Sequence, residues 1–339
     1  MSGDNRQAAD LTIEEPSRLQ NLWASISGVF AKEARWRMRG RRAFLIVTIY
    51  VALLGLLVMG IYRLIYDRAV FDAGFNNGFQ RLDVVSASAS TAIGQAIFVG
   101  ILIVQTLLTL MVAPALTSGA IAMEREKQTL DLLITTPVST LGMVIGKLIS
   151  SLAYVLLLIV GSLPLMAVVF TFGGIAPEDV VRAYVMLVAV AFGVGSIGLF
   201  VSALLKRTQM ATAVSYVVVL VLTLGSLALH TYILASSLPR DFDGRPLGPP
   251  ATAPEPLLWL NPLVADVDLA CTAIPDTYGF TCSYIGTVTG QEIDPANPLR
   301  DGFWPRSAAA FIVTGIALTL LTTQLIAPSR RIRAQRAKP

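Results

Sequence analysis

An all-α polytopic membrane protein with six transmembrane helices is the fold class this sequence predicts, and three observations carry it. Charged residues make up 14% of the 339 positions, against about 25% in soluble proteins. Hydrophobic residues make up 54%, and the mean hydropathy is +0.66. The charges are also clustered, leaving long stretches without Asp, Glu, Lys or Arg. A soluble chain of this length needs a charged shell around its core. The composition therefore excludes a soluble globular enzyme and a disordered protein.

The spans follow from charge-free length, since about 20 residues at ~1.5 Å per residue cross ~30 Å of hydrocarbon. Span one is Ala43–Tyr62. Val84–Met123 is too long for one straight span, and its polar start "SASASTAIGQ" places span two at Thr91–Leu116. Span three is Met143–Phe172, with Lys147 near one end. Span four is Ala183–Leu205, span five Met210–Ala235 and span six Ser307–Ala327.

Orientation follows from Lys and Arg, which concentrate on the cytoplasmic side. Lys32, Arg35, Arg37, Arg39, Arg41 and Arg42 precede span one, and Arg330, Arg331, Arg333, Arg336 and Lys338 follow span six. With Arg125, Lys127, Lys147, Lys206 and Arg207, this side carries twice the cations of the other. Both termini are thus expected in the cytoplasm. The first 40 residues are polar and show no cleavable signal peptide, so span one reads as a signal anchor.

Outside the spans, residues 1–18 read as a disordered tail and 330–339 as a basic cytoplasmic tail. Within 19–42, Leu19, Leu22, Trp23, Ile26, Val29 and Phe30 share one helical face. With Trp23 and Trp36 flanking a basic cluster, this predicts an amphipathic helix in the membrane surface, against lipid. The six-span domain covers 43–329. Its external loop, 236–306, holds nine acids and four arginines. Within that loop, "PLLWLNPLVADVDLA" is too short and too charged to span. It predicts one or two short helices, broken at Asn261-Pro262, lying on or dipping into the outer leaflet. Cys271 and Cys282 lie in the same loop, where a disulfide and two free thiols both stand open.

Few catalytic residues are present. One histidine, His230, lies far along the chain from both cysteines, so no zinc site is expected. The net charge of +4 is explained by topology rather than nucleic-acid binding. The nearest approach to a phosphate-binding loop, Gly142 to Leu148, is one residue short and has Leu where Ser or Thr must hold magnesium. Ser226 and His230, one helical turn apart, are the best candidates for an intramembrane serine protease dyad. No predicted span contains an acid, which argues against proton-coupled transport. Small residues cluster in span four at Ala189, Ala191, Gly193, Gly195, Ser196 and Gly198, which favours close helix packing.

The most informative segment lies between spans two and three: "IAMEREKQTLDLLITTPVSTLGMVIGK". A charged burst is followed by an apolar run, and Pro137 disfavours helix at Thr136. The pattern predicts a short cytoplasmic helix able to dock on a soluble partner and pass a displacement to the spans.

This string resembles the "ISxERExGTLELLLxTPLSxxEIxxGK" motif of permease subunits of ABC exporters in the type 2 superfamily. Ile121, Glu124, Arg125, Glu126, Thr129, Leu130, Leu132, Leu133, Thr136, Pro137, Ser139, Gly146 and Lys147 match. Gln128 stands where glycine is usual, and Gly142 where an acid is usual. The resemblance implies a coupling helix on a separate P-loop ATPase subunit, with Glu124, Arg125, Glu126, Lys127, Thr129, Leu130, Leu132 and Leu133 as its contact surface. Thr136 and Pro137 would shape the turn into span three. It further implies a non-catalytic permease without its own cofactor, paired with a second permease copy. ATP and magnesium would be bound by the partner subunit, in the plasma (inner) membrane of a prokaryote. The scarcity of charge in the spans favours an apolar or amphiphilic substrate, exported by alternating access. The alternative is an autonomous membrane protein, either a scaffold or the Ser226–His230 protease.

Overall fold

The computed structural model describes residues 41–76, 82–128, 140–236, 255–274, 282 and 302–326, and only the backbone path at 41–43, 69–76 and 82–89. The predicted tails, the amphipathic helix at Leu19, Leu22, Trp23, Ile26 and Phe30, and much of the external loop lie outside them. Among the described residues there is no strand, and six helical segments are long and apolar enough to cross a bilayer. Backbone polar groups in hydrocarbon must be satisfied internally, so apolar stretches of this length fold as helices.

Span one is part of α1 (Arg41–Asn76), whose apolar stretch is Phe44–Arg68. At 36 residues α1 is about 54 Å long, so it outruns a bilayer. Span two is α2 (Leu82–Thr117), which starts nine residues before the expected Thr91 and leads into a five-residue helix, α3 (Ala122–Glu126). Span three is broken rather than continuous: α4 (Thr140–Gly161) and α5 (Leu163–Phe172) meet at Ser162. Pro164, in the first turn of α5, has no N–H to continue the ladder. The break is held by polar groups: Gln105 Nε2 donates to Ser162 Oγ, and the Ser162 hydroxyl lies 2.8 Å from that of Tyr184.

Gly173 and Gly174, at φ +81° and +86°, turn the chain into span four, α6 (Pro177–Leu204). This helix begins six residues earlier than expected. Pro177 fits the first helical turn, and Glu178 and Asp179 meet the positive end of the helix dipole. Span five comprises α7 (Thr208–Leu220), a π-helical turn (Val221–Gly225) and α8 (Ser226–Ser236). Span six, α10 (Phe303–Ile326), begins four residues before the expected Ser307.

Span four is the axis of the bundle: 78% of its apolar window is buried, against 11% for span one. Span six runs along it and span two packs on it as well. Its small residues serve as contact points. A Cβ on Gly193 would stand 2.6 Å from Phe311 Cδ1, and one on Gly198 would collide with the Thr117 hydroxyl. The small-residue stripe is therefore packing within one chain, which gives close helix approach without charge.

The loop segment before span six forms a 3₁₀ turn (Glu255–Leu258) and a helix, α9 (Pro262–Ala273), with the break at Asn261. α9 does not lie on the outside of the bundle. Most of its residues are buried, and it packs against spans two, four and six. Asp266 and Asp268 are carried inside with it, 2% and 1% exposed. The predicted spans contain no acid, but this short helix carries two into the bundle from outside the spans.

Candidate coupling site

At the end of the bundle where spans two and three, and four and five, are joined, α3 forms a node. It has no side-chain cap of its own at Ile121. Ser202, near the end of span four, accepts from the Ile121 and Ala122 amides at 3.0 and 2.9 Å. These are among the amides a helix start leaves unpaired, so span four caps α3 from outside.

The three consecutive charges of α3 each reach a different span. Glu124 Oε1 lies 2.6 Å from Lys147 Nζ in span three, with the lysine side chain 4% exposed. Arg125 Nη1 donates to the Ala203 carbonyl at 2.9 Å, in the last turn of span four. A cation there meets the negative end of the helix dipole. Glu126 Oε2 accepts from Thr208 Oγ1 at 2.8 Å and from the Thr208 amide at 3.4 Å, at the start of span five. A carboxylate there meets the positive end. Ser118 extends the seam, 2.8 Å from Thr212.

The chain then turns at Gln128, which takes φ +56°. This is the position where the motif usually has glycine, and the left-handed backbone explains why. Met123, Lys127 and Gln128 are exposed beside it. Thr129, Leu130, Leu132, Leu133, Thr136 and Pro137 lie outside the described residues. Of the expected contact residues, the structure thus brings Glu124, Arg125 and Glu126 together at one node and engages all three within the chain. Sequence reasoning missed Ser202 and Thr208, which look like ordinary helix-end hydroxyls. Lys147 carried a signal, as a lone cation at a span end.

At the other end, the Cys271 and Cys282 sulfurs are joined, with Cα atoms 5.4 Å apart. The Ser226–His230 dyad is not formed. Ser226 Oγ donates to the Leu222 carbonyl at 2.6 Å and accepts from Asn261 Nδ2 at 3.0 Å. His230 is fully buried, and neither ring nitrogen has a hydrogen-bond partner among the described residues. A base that touches no hydroxyl cannot activate one.

α9 is tied to both flanking spans. Asn261 Oδ1 caps it, accepting from Leu263 and Val264 amides at 3.1 and 3.3 Å. Asn261 Nδ2 donates to the Thr223 carbonyl in the π-turn at 2.7 Å. Asp268 Oδ2 accepts from the Trp304 amide at 2.9 Å, at the start of span six. Arg306 and Glu255 pair at 2.8 Å, and Ser307 Oγ donates to the Trp259 carbonyl at 2.7 Å.

A search of curated proteins gave no match. The family model for ABC-2 family transporter proteins matches residues 28–263, more than two thirds of the chain and the whole of the α3 node. With six membrane-length helices and the motif at the span two–three turn, the chain belongs to the ABC-2 transporter family, whose members are membrane-embedded components of ABC transporters.

Proposed function

We propose that this chain is the permease subunit of an ATP-driven exporter whose ATP hydrolysis resides on a separate P-loop subunit. One observation carries the reading: a five-residue helix at the bundle end is bonded to spans three, four and five through three adjacent charged side chains. A push on α3 is thereby shared among these spans, with span two joined covalently. Such a node is what a coupling element needs, because packed helices move as discrete bodies rather than deforming locally.

On this reading the α3 end faces the cytoplasm, consistent with Lys and Arg concentrated there, and both termini lie on that side. The internal bonds of Glu124, Arg125 and Glu126 hold the node together. Met123, Lys127 and Gln128 form an exposed edge that meets the ATPase, and the motif residues Thr129, Leu130, Leu132 and Leu133 that follow in sequence are proposed to join that contact. A second permease copy completes the transporter, and the largely exposed apolar surface of span one suits a helix or lipid neighbour. The low charge of the spans suits an apolar or amphiphilic substrate.

The test is mild-detergent purification of the tagged chain from its native membranes, with identification of co-purifying proteins and a vanadate-sensitive ATPase assay. A stoichiometric P-loop subunit is the expected result, and Met123→Arg with Lys127→Glu should release it from a normally inserted chain. A single chain without ATPase under several gentle conditions would overturn the reading in favour of an autonomous membrane protein.

A further inference from the structure

Asp266 has no evident structural task. It lies on α9, 2% exposed, and its Oδ2 has no hydrogen-bond partner among the described residues. The polar side chain facing it is Thr106 of span two. The described titratable groups on the elements packed on or bonded to α9 are Glu178, Asp179, Arg182 and Tyr184 of span four, Tyr216, His230 and Tyr232 of span five, and Glu255 and Arg306 at the start of span six, and none of them acts on it as a counter-charge. Asp268, two residues on, is turned to the Trp304 amide, and the neighbouring charges Glu255 and Arg306 pair with each other. An isolated carboxylate in such surroundings is strongly disfavoured, and the group takes up a proton instead. Burial holds the Asp266 carboxyl well above the usual carboxylate range.

The same helix grips span five. Asn261, the cap of α9, donates to the Thr223 carbonyl within the π-helical turn Val221–Gly225. A π-turn disrupts the regular i→i−4 ladder, and an outside donor supplies a partner for a carbonyl there. Seating of α9 and the irregular turn of span five are therefore linked through one side chain.

We propose that α9 is a proton-controlled latch on span five: it stays seated while Asp266 is protonated, and ionisation of Asp266 unseats it and withdraws Asn261 from Thr223. Asp268 differs in kind. Burial disfavours its charge too, but a backbone amide meets that charge, so its ionisation lowers stability without breaking the bond that seats α9. The latch does not depend on the transport reading, since it concerns only the seating of α9.

The experiment uses the full chain in nanodiscs of zwitterionic lipid, with Val264→Cys as a near-isosteric reporter, 5% exposed when α9 is seated. The native cysteines are joined to each other and do not react. Maleimide labelling rates at pH 5.5 and 8.5 are divided by the rate for the SDS-unfolded chain at the same pH. The normalised rate should rise at least tenfold at pH 8.5. Asp266→Asn should hold it at the low value at both pH values, and Asp268→Asn should leave the rise in place. Amide hydrogen exchange of residues 262–273, corrected for intrinsic pH dependence, repeats the comparison without the reporter cysteine. A pH-independent rate in the native chain, a rise that survives Asp266→Asn, or a rise abolished by Asp268→Asn alone would each overturn the latch.

Discussion

Asn261 and Thr223, 38 residues apart, meet through a 2.7 Å hydrogen bond from side-chain amide to main-chain carbonyl. The donor belongs to the cap of a short buried helix, and the acceptor to an irregular turn in a membrane span. The same Asn261 side chain accepts from two amides of its own helix, so one residue serves both elements.

Replacing Asn261 separates these roles. Asn261→Ala removes a cap worth ~1 kcal/mol and the shorter of two side-chain hydrogen bonds to the Thr223 carbonyl, which Ser226 also reaches at 3.3 Å, a further ~0.5–1.5 kcal/mol. Asn261→Asp keeps the cap acceptor and loses the donor. Thermal unfolding in detergent should rank native above both variants. Stability of the aspartate variant equal to native would show the Thr223 bond to be dispensable.

Two glycine replacements should differ sharply. Gly193→Ala places a Cβ 2.6 Å from the Phe311 ring and 3.0 Å from its carbonyl, an overpacking that costs ~1–3 kcal/mol. At Gly55 nothing lies within 4 Å, and alanine gains ~0.5–1 kcal/mol of helix propensity. Equal midpoint shifts for the two variants would contradict the close approach of spans four and six.

Gln128 holds a left-handed backbone at φ +56°. Gln128→Gly relieves ~1 kcal/mol of strain and should raise the melting midpoint. Gln128→Val should lower it, because branching at Cβ worsens the same clash. No difference between the glycine and valine variants would count against the turn.

The Glu124–Lys147 pair is predicted to behave as a unit. Lys147→Met or Glu124→Gln removes one partner of a largely buried pair, at up to ~3 kcal/mol each. The double variant should be closer to native than the sum of the singles. Simple additivity in that cycle would mean the two do not interact.

Stability should also depend on pH through Asp268. Burial pushes its carboxyl up to about 6, against the opposing pull of the Trp304 and Phe303 amides. From the ordinary value of 3.8 up to about 6, the folded chain binds more proton than the unfolded one. Folding stability is therefore highest below that window and declines as pH rises through it. The melting midpoint should fall between pH 4 and pH 7, and Asp268→Asn should reduce that fall. An unchanged fall in the variant would remove Asp268 as its source.

The sequence alone determined the number of spans, the apolar core of each and the position of the charged turn. It could do so because hydropathy reports the solvent around each segment, and a bilayer leaves helix as the available answer. The resemblance singled out Glu124, Arg125 and Glu126, and the odd Gln128, from the sequence alone. Partners were another matter. Nothing local announces that Glu124 meets Lys147, that Ser202 caps α3, or that Ser226 is bonded to Asn261 rather than His230. These are contacts between residues distant in sequence, set by how helices cross. The break at Ser162, the π-turn of span five and the burial of Asp266 and Asp268 are of the same kind. A short charged segment reads as surface by composition, and only packing against spans two, four and six carried it inside.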